Sequence, residues 1–237
     1  MQEKYVSVSL SGGKDSTAML LMMLDRGEHI DEIVTVDTGM EFPEMYDHLE
    51  KLQKMVNISF TVLKSDKSFE YYLKDHELTR GKHAGQHGYG WARMRSRWCT
   101  SKLKTSLIDK HVAQLPGEVV QCIGIAADEQ NRVRDKRYPL VEYGITEAEA
   151  LAYCYERGFD WGGLYEVMGR VSCWCCPLQN LNELRALRRT HPELWRKLIE
   201  LDDASPNSFR ISKTKAGFKE ISVRDLDARF AAEDARL

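Results

Sequence analysis

The feature that most constrains this chain is a glycine pair set between a Val-rich stretch and an apolar helix. Residues 5–10 alternate and are β-branched, the pattern of a strand. Residues 15–26 are apolar on most sides and stop at Gly27, which reads as a buried helix with a glycine terminus. Between them stand Ser11, Gly12, Gly13, Lys14, Asp15 and Ser16. Paired glycines open backbone conformations closed to other residues and let the chain approach a ligand closely. The amides of the turn and of the helix start lack internal partners, so they favour an anion. Ser11 and Ser16 add hydroxyls, and Lys14 adds a cation. Neither the G-x-x-x-x-G-K-[ST] string of a Walker loop nor the G-x-G-x-x-G dinucleotide fingerprint occurs.

The pattern then repeats. Residues 32–37 and 58–63 read as strands, separated by a helix from Pro43 to about residue 56. Strand, helix, strand, helix, strand implies a parallel sheet with right-handed crossovers, an α/β fold. A glycine- and histidine-rich loop is expected over residues 81–90, a helix over 99–113 and a further strand over 118–126. Thr146 and Glu149 have capping-box spacing and start a helix that ends at Gly158. Beyond Gly169 the pattern is helical, over residues 180–189, 192–201 and 223–235. The expected division is a core of residues 1–145 and a helical C-terminal region of residues 146–237 carrying the cysteines.

With 43% hydrophobic and 30% charged residues and a formal net charge of -2, the composition is that of a soluble globular protein without a global basic field for nucleic acid. Arg93, Arg95, Arg97, Lys102 and Lys104 form a local basic run. The start of the sequence lacks an export-signal pattern, and the longest apolar run, residues 18–24, is too short for a membrane span. The expected location is the cytoplasm, without membrane association. The six cysteines then read as thiols or metal ligands in place of disulfides.

Ser11 to Ser16 resembles the S-G-G-x-D-S signature of the PP-loop, or adenine-nucleotide alpha-hydrolase, superfamily. Val36-Asp37-Thr38-Gly39 followed by Glu41-Phe42-Pro43-Glu44 is similar to the second motif of its phosphoadenosine phosphosulfate (PAPS) reductase branch. The segments from Arg97 to Lys104 and from Gly124 to Arg132 resemble two more. The resemblance implies a Rossmann-like (HUP-like) parallel-sheet core that binds ATP or a sulfated adenine nucleotide at the C-terminal ends of its strands. It implies that Ser9, Ser11, Gly12, Gly13, Lys14, Asp15 and Ser16 meet the phosphates or their Mg²⁺. It places Asp37 and Thr38 near the nucleoside, and Arg97, Lys104, Glu129 and Arg132 near nucleotide or substrate. Lys14 and Asp15 are the catalytic candidates of the loop.

Cys173, Cys175 and Cys176 lie within four residues, and Cys173 and Cys176 have the C-x-x-C spacing that serves iron–sulfur clusters and zinc alike. By the same resemblance Cys99 is the fourth candidate ligand, and related proteins hold a [4Fe–4S] cluster with cysteines so distributed. Zinc and metal-free thiols remain the alternatives, and Cys175 is either a ligand or a catalytic thiol. Cys122 and Cys154 read as buried free thiols. Trp161, Trp174 and Trp195 read as core or rim packing, His83 and His87 as polar loop residues.

Three functions are consistent with these residues. The first is an ATP-dependent, pyrophosphate-releasing sulfur transferase with a cysteine desulfurase or other sulfur donor and a nucleic-acid or small-molecule acceptor. The second is a sulfonucleotide reductase, which lacks here the family's late cysteine, since no cysteine follows Cys176. The third is a non-catalytic nucleotide-binding module with structural zinc.

Overall fold

The β-branched and apolar stretches become four parallel strands. In the computed structural model, which describes residues 4–171, 173–214 and 217–236, β1 (Tyr5–Ser9), β2 (Glu32–Asp37), β3 (Ser59–Lys64) and β4 (Val119–Ile123) form one sheet in the order β3-β2-β1-β4. Residues 1–3, read above for an export signal, lie outside the described residues. Ser9 stands opposite Val34 of β2 and Ile123 of β4, with both pairings parallel. β1 is therefore central. The chain leaves it toward β2 and returns later on its other side, so the strand order reverses at the C-terminal end of β1.

The crossovers follow their sequence patterns. α1 (Lys14–Asp25) buries every residue from Ser16 to Met23, which explains its apolar character all round. α2 (Pro43–Met55) opens on its proline, whose missing N–H is no loss in a first helical turn. The helix expected over residues 99–113 is three pieces: Trp98–Thr100, a π turn over Ser101–Thr105, and α3 (Ser106–Val112). His111 of α3 reaches the buried Glu32 of β2 at 2.9 Å, and Ser7 of β1 donates to the same carboxylate at 2.9 Å. α4 (Glu147–Glu156) begins on the expected box, with both Thr146 and Glu149 hydrogen bonds formed.

The chain groups into two compact units, each drawn from several stretches. The first comprises Met1–Asp37, Glu41–Lys64 and Lys104–Glu166; the second comprises Thr38–Met40, Ser65–Leu103 and Val167–Leu237. α4 stays with the sheet because it lies along α1: the Cys154 thiol reaches the Lys14 carbonyl at 3.6 Å, and the Tyr153 hydroxyl donates to Asp25 at 2.5 Å.

The second unit is mostly helical, with α5 (Leu181–Thr190), α6 (Pro192–Ala204), a hairpin of β5 (Arg210–Thr214) and β6 (Gly217–Ile221), and α7 (Val223–Asp234). Its interior is aromatic. Trp91 meets Phe209 edge-on at 4.9 Å and donates its indole N–H to Asp202 at 2.8 Å. Asp202 also accepts the first amide of α7, from Val223, at 2.7 Å. Trp195 packs on Phe230 at 5.9 Å and donates to Asp227 at 2.8 Å, tying α6 to α7. Among the described residues no helix is long and apolar enough to cross a membrane.

Candidate functional site

The glycine turn sits where the strand order reverses. Gly12 takes φ 80°, a conformation that disfavours side chains, and a Cβ there would lie 2.5 Å from the sulfur of Met45. Gly13 is the extended residue before α1 and has no side chain with which to cap the helix start. The hydroxyls of Ser11 and Ser16 lie 3.0 Å apart, and Ser16 also donates to the Gly13 carbonyl at 3.0 Å. The loop's hydroxyls thus lie beside the first amides of a helix, an arrangement suited to an anion. Ser9 closes β1 directly beneath it.

Lys14 is drawn sideways. Its ammonium lies 2.6 Å from Glu147 and 3.1 Å from Asp15, and its side chain is only 12% exposed. Burial lowers its pKa, but the hydrogen bond to Glu147 and the charge of Asp15 outweigh burial and leave it raised. Asp15 is itself raised, by burial first, against the attraction of Lys14, with the Glu147 and Glu129 charges adding to the rise. Arg132 pairs with Glu129 at 2.6 Å and is mostly exposed. A carboxylate-rich rim thus surrounds the loop's single lysine.

A segment that the sequence marks only by Trp161, read as core or rim packing, completes this region. Trp161, 2% exposed, donates its indole N–H to the Gly12 carbonyl at 2.7 Å and stacks on His48 at 4.5 Å. His48 lies 2.9 Å from the Thr17 hydroxyl of α1 and is pushed down to about 4, by burial first and then by the charge of Lys51. The Tyr165 hydroxyl accepts the backbone N–H of Lys14 at 2.8 Å. The W-G-G-L-Y string holds two consecutive glycines, the only sequence hint of a forced turn there.

At the end of β2 the Asp37 carboxylate accepts from Tyr46 at 2.9 Å and from Lys64 at 2.8 Å. A cavity of about 180 Å³ lies beside it, lined among others by Glu41, Tyr46 and Phe60. Lys104 faces Glu41 at 3.7 Å. These residues share the sheet unit with the loop, whereas Thr38 and Arg97 belong to the second unit. There Thr38 is buried, with its hydroxyl accepting the Met40 amide at 3.3 Å and lying 3.9 Å from the Cys173 sulfur. Arg97 is exposed and contacts the Met94 sulfur at 3.5 Å.

The cysteine turn is held by its backbone: Cys176 N–H donates to the Cys173 carbonyl at 3.1 Å, and Trp174 N–H donates to Met40 at 3.0 Å. Cys99, Cys173 and Cys176 are half-buried, while Cys175 is 1% exposed. Among the described residues no three His, Cys, Asp or Glu side chains gather so as to hold a metal ion. The four-cysteine centre of Cys99, Cys173, Cys175 and Cys176 thus rests on sequence resemblance alone. Neither a cluster nor zinc enters the chemistry below. Cys122 and Cys154 are buried free thiols as read, pushed up by burial to about 11 and about 12 respectively.

Comparison with known proteins agrees with this geometry. Two uncharacterized proteins of Methanocaldococcus jannaschii are similar in sequence. MJ0066 is 27% identical over 82% of this chain and 41% of its own length, and MJ0973 is 23% identical over 83% and 47%. The chain therefore spans less than half the length of these curated relatives. Among solved structures, phosphoadenylyl-sulfate (PAPS) reductase from Candida auris, in a phosphate complex, shares the fold, with a TM-score of 0.51 at 17% identity over 70% of this chain and 78% of that one. The model of the phosphoadenosine phosphosulfate reductase domain matches residues 5–183, from the first residue of β1 through the glycine turn and past the cysteine turn, and the chain belongs to that family.

Proposed function

We propose that this chain is an adenine-nucleotide enzyme of sulfur chemistry, a pyrophosphate-releasing sulfur transferase whose Ser11–Ser16 loop seats the nucleotide's phosphates. The observation that carries this reading is the position of the loop, at the C-terminal end of the central strand β1 where the strand order reverses. On this reading Ser9, Ser11, Gly12, Gly13 and Ser16 present amides and hydroxyls to phosphate oxygens. Asp15 supplies a carboxylate to a Mg²⁺ that arrives with the phosphates, since such ions take most of their ligands from phosphate and water. Asp37, Lys104, Glu129 and Arg132 share the loop's unit and are assigned to the nucleotide. Thr38, Arg97, Cys99, Cys173 and Cys176 belong to the other unit, and sequence resemblance alone brings them to the reaction.

The chemistry asked of the loop is charge stabilisation and positioning. An acceptor's carbonyl oxygen attacks the α-phosphorus of ATP. The bond from that phosphorus to the α–β bridging oxygen breaks, and pyrophosphate leaves against Lys14 and the loop amides. The terminal sulfur of a persulfide, carried by a sulfur donor such as a cysteine desulfurase, then bonds to the activated carbon, and AMP departs with the oxygen. A second thiol attacks the inner sulfur, so that the S–S bond breaks, the thiocarbonyl product leaves and a donor disulfide remains. Nucleic acids and small molecules with such a carbonyl are both candidate acceptors.

The family match and the shared fold with a PAPS reductase support a second reading, reduction of a sulfonucleotide by thiolate attack on its sulfur. With Cys175 buried, its nucleophile falls to Cys99, Cys173 or Cys176. One experiment separates the two. The protein is supplied with ATP, a persulfide donor and candidate acceptors, and in parallel with sulfated adenine nucleotide and thiol. Pyrophosphate that depends on acceptor and disappears in Lys14→Ala supports transfer, whereas sulfite from the second mixture replaces it with reduction.

A further inference from the structure

The segment after α4 carries a strained residue, and what holds that residue bears on the phosphate loop. Trp161 has φ 50°, the only positive value among the described non-glycine residues. Such a backbone is strained and persists only where its surroundings enforce it. The Asp160 carboxylate accepts the Gly162 amide at 3.1 Å, and Gly162 and Gly163 follow at φ 58° and 83°. This turn brings two side chains to the loop together. Trp161 fixes the Gly12 carbonyl at 2.7 Å, and its ring meets that of Tyr165 edge-on at 4.8 Å. Tyr165 in turn holds the N–H of Lys14, the first residue of α1, at 2.8 Å.

The phenol oxygen therefore stands where an anion would accept a helix-start amide. In accepting that N–H it uses a lone pair and keeps its own proton. Among the described residues no acceptor takes this proton. Burial, with the Asp15 charge adding, raises the phenol's pKa, so it remains a neutral donor across the working pH range.

We propose that Tyr165 is a phosphate-contacting residue, its O–H donating to an oxygen of the polyphosphate or pyrophosphate seated on the loop, with Trp161 holding the ring in place. This rests on the reading of Ser11–Ser16 as an anion cradle. It adds to the cradle a neutral donor from far along the chain, outside the motif that identifies the loop.

Tyr165→Phe keeps the ring against Trp161 and removes only the hydroxyl. Wild type, Tyr165→Phe and Tyr165→Gln are titrated with ATP and with pyrophosphate, and each unliganded protein is melted. A hydrogen bond to a charged group predicts that Tyr165→Phe binds both ligands about 10- to 100-fold more weakly, with a small fall in melting temperature from the lost acceptor of the Lys14 N–H. Tyr165→Gln, which retains a neutral donor, recovers part of the loss. Equal or tighter binding by Tyr165→Phe overturns the assignment, as does a Gln variant no better than Phe. Saturable binding by wild type with no response to either variant removes Tyr165 alone. Failure of folded wild type to bind either ligand removes the cradle itself, and this assignment with it.

Discussion

Gly124 and Ser16 are in direct backbone contact: a Cβ on Gly124 would lie 2.6 Å from both the Cα and the N of Ser16. The chain just past β4 thus braces the start of α1 and fixes where the loop's amides point. Gly124→Ala must push the two apart, since backbone cannot yield as a flexible side chain does. The expected result is a destabilisation of about 1–3 kcal/mol, the range for overpacking a tight core, with a loss of ATP affinity of tenfold or more. Calorimetry and thermal unfolding of the variant check this, and an unchanged affinity would show that the contact does not set the loop.

Glu147 competes with the ligand for Lys14. Its carboxylate lies 2.6 Å from the ammonium while remaining 42% exposed. Glu147→Gln frees Lys14 to turn to the phosphates and removes a negative charge from the rim. ATP is expected to bind severalfold more tightly to this variant, with the gain shrinking at high salt as charges are screened. Weaker binding would mean that Glu147 positions Lys14.

His48 gives the fold an acid-sensitive point. Its pKa falls from 6.5 to about 4, through burial first and the Lys51 charge second. The unfolded chain therefore binds a proton in this window that the folded chain refuses. The stability of neutral His48 is complete above about 6.5 and is lost as pH falls toward 4, on the order of 3 kcal/mol in total. Urea unfolding of wild type and His48→Gln across this range tests the slope. The variant should lose that part of the dependence, and parallel curves would contradict it.

The thiols should separate by accessibility. Cys99, Cys173 and Cys176 are half-buried, whereas Cys122, Cys154 and Cys175 are buried. Burial holds the Cys122 and Cys154 thiols protonated as well, at about 11 and about 12. Brief alkylation of native protein at pH 8 followed by peptide mass spectrometry is expected to label the first three well ahead of the others. Early labelling of Cys175 would place that thiol at the surface and restore it as a nucleophile.

The sheet was legible because its strands are short apolar, β-branched runs and its helices are bounded by Gly27, Pro43 and Thr146, whose local chemistry dictates a start or stop. The loop was legible because its ligand-binding groups are adjacent in sequence. The β5–β6 hairpin was not: Ile211 and Phe218 are exposed, so no buried face imposes an alternation to read. The π turn over Ser101–Thr105 also leaves no local sign, since a helical pattern with one wider turn reads as a plain helix. Trp161 and Tyr165 were hidden for another reason. Their partners, Gly12 and Lys14, are brought to them by the packing of α4 on α1, a tertiary relation that no spacing encodes. The four cysteines have a recognisable spacing, yet among the described residues no three His, Cys, Asp or Glu side chains gather so as to hold a metal ion.

Equilibrium titration of the folded protein with ATP, in the presence of Mg²⁺ and with Lys14→Ala alongside, bears most directly on the whole account. Saturable one-to-one binding, displaced by pyrophosphate and weakened at least tenfold in the variant, is the expected result. Heat or signal that never saturates, or a variant that binds as tightly as the parent, would contradict it.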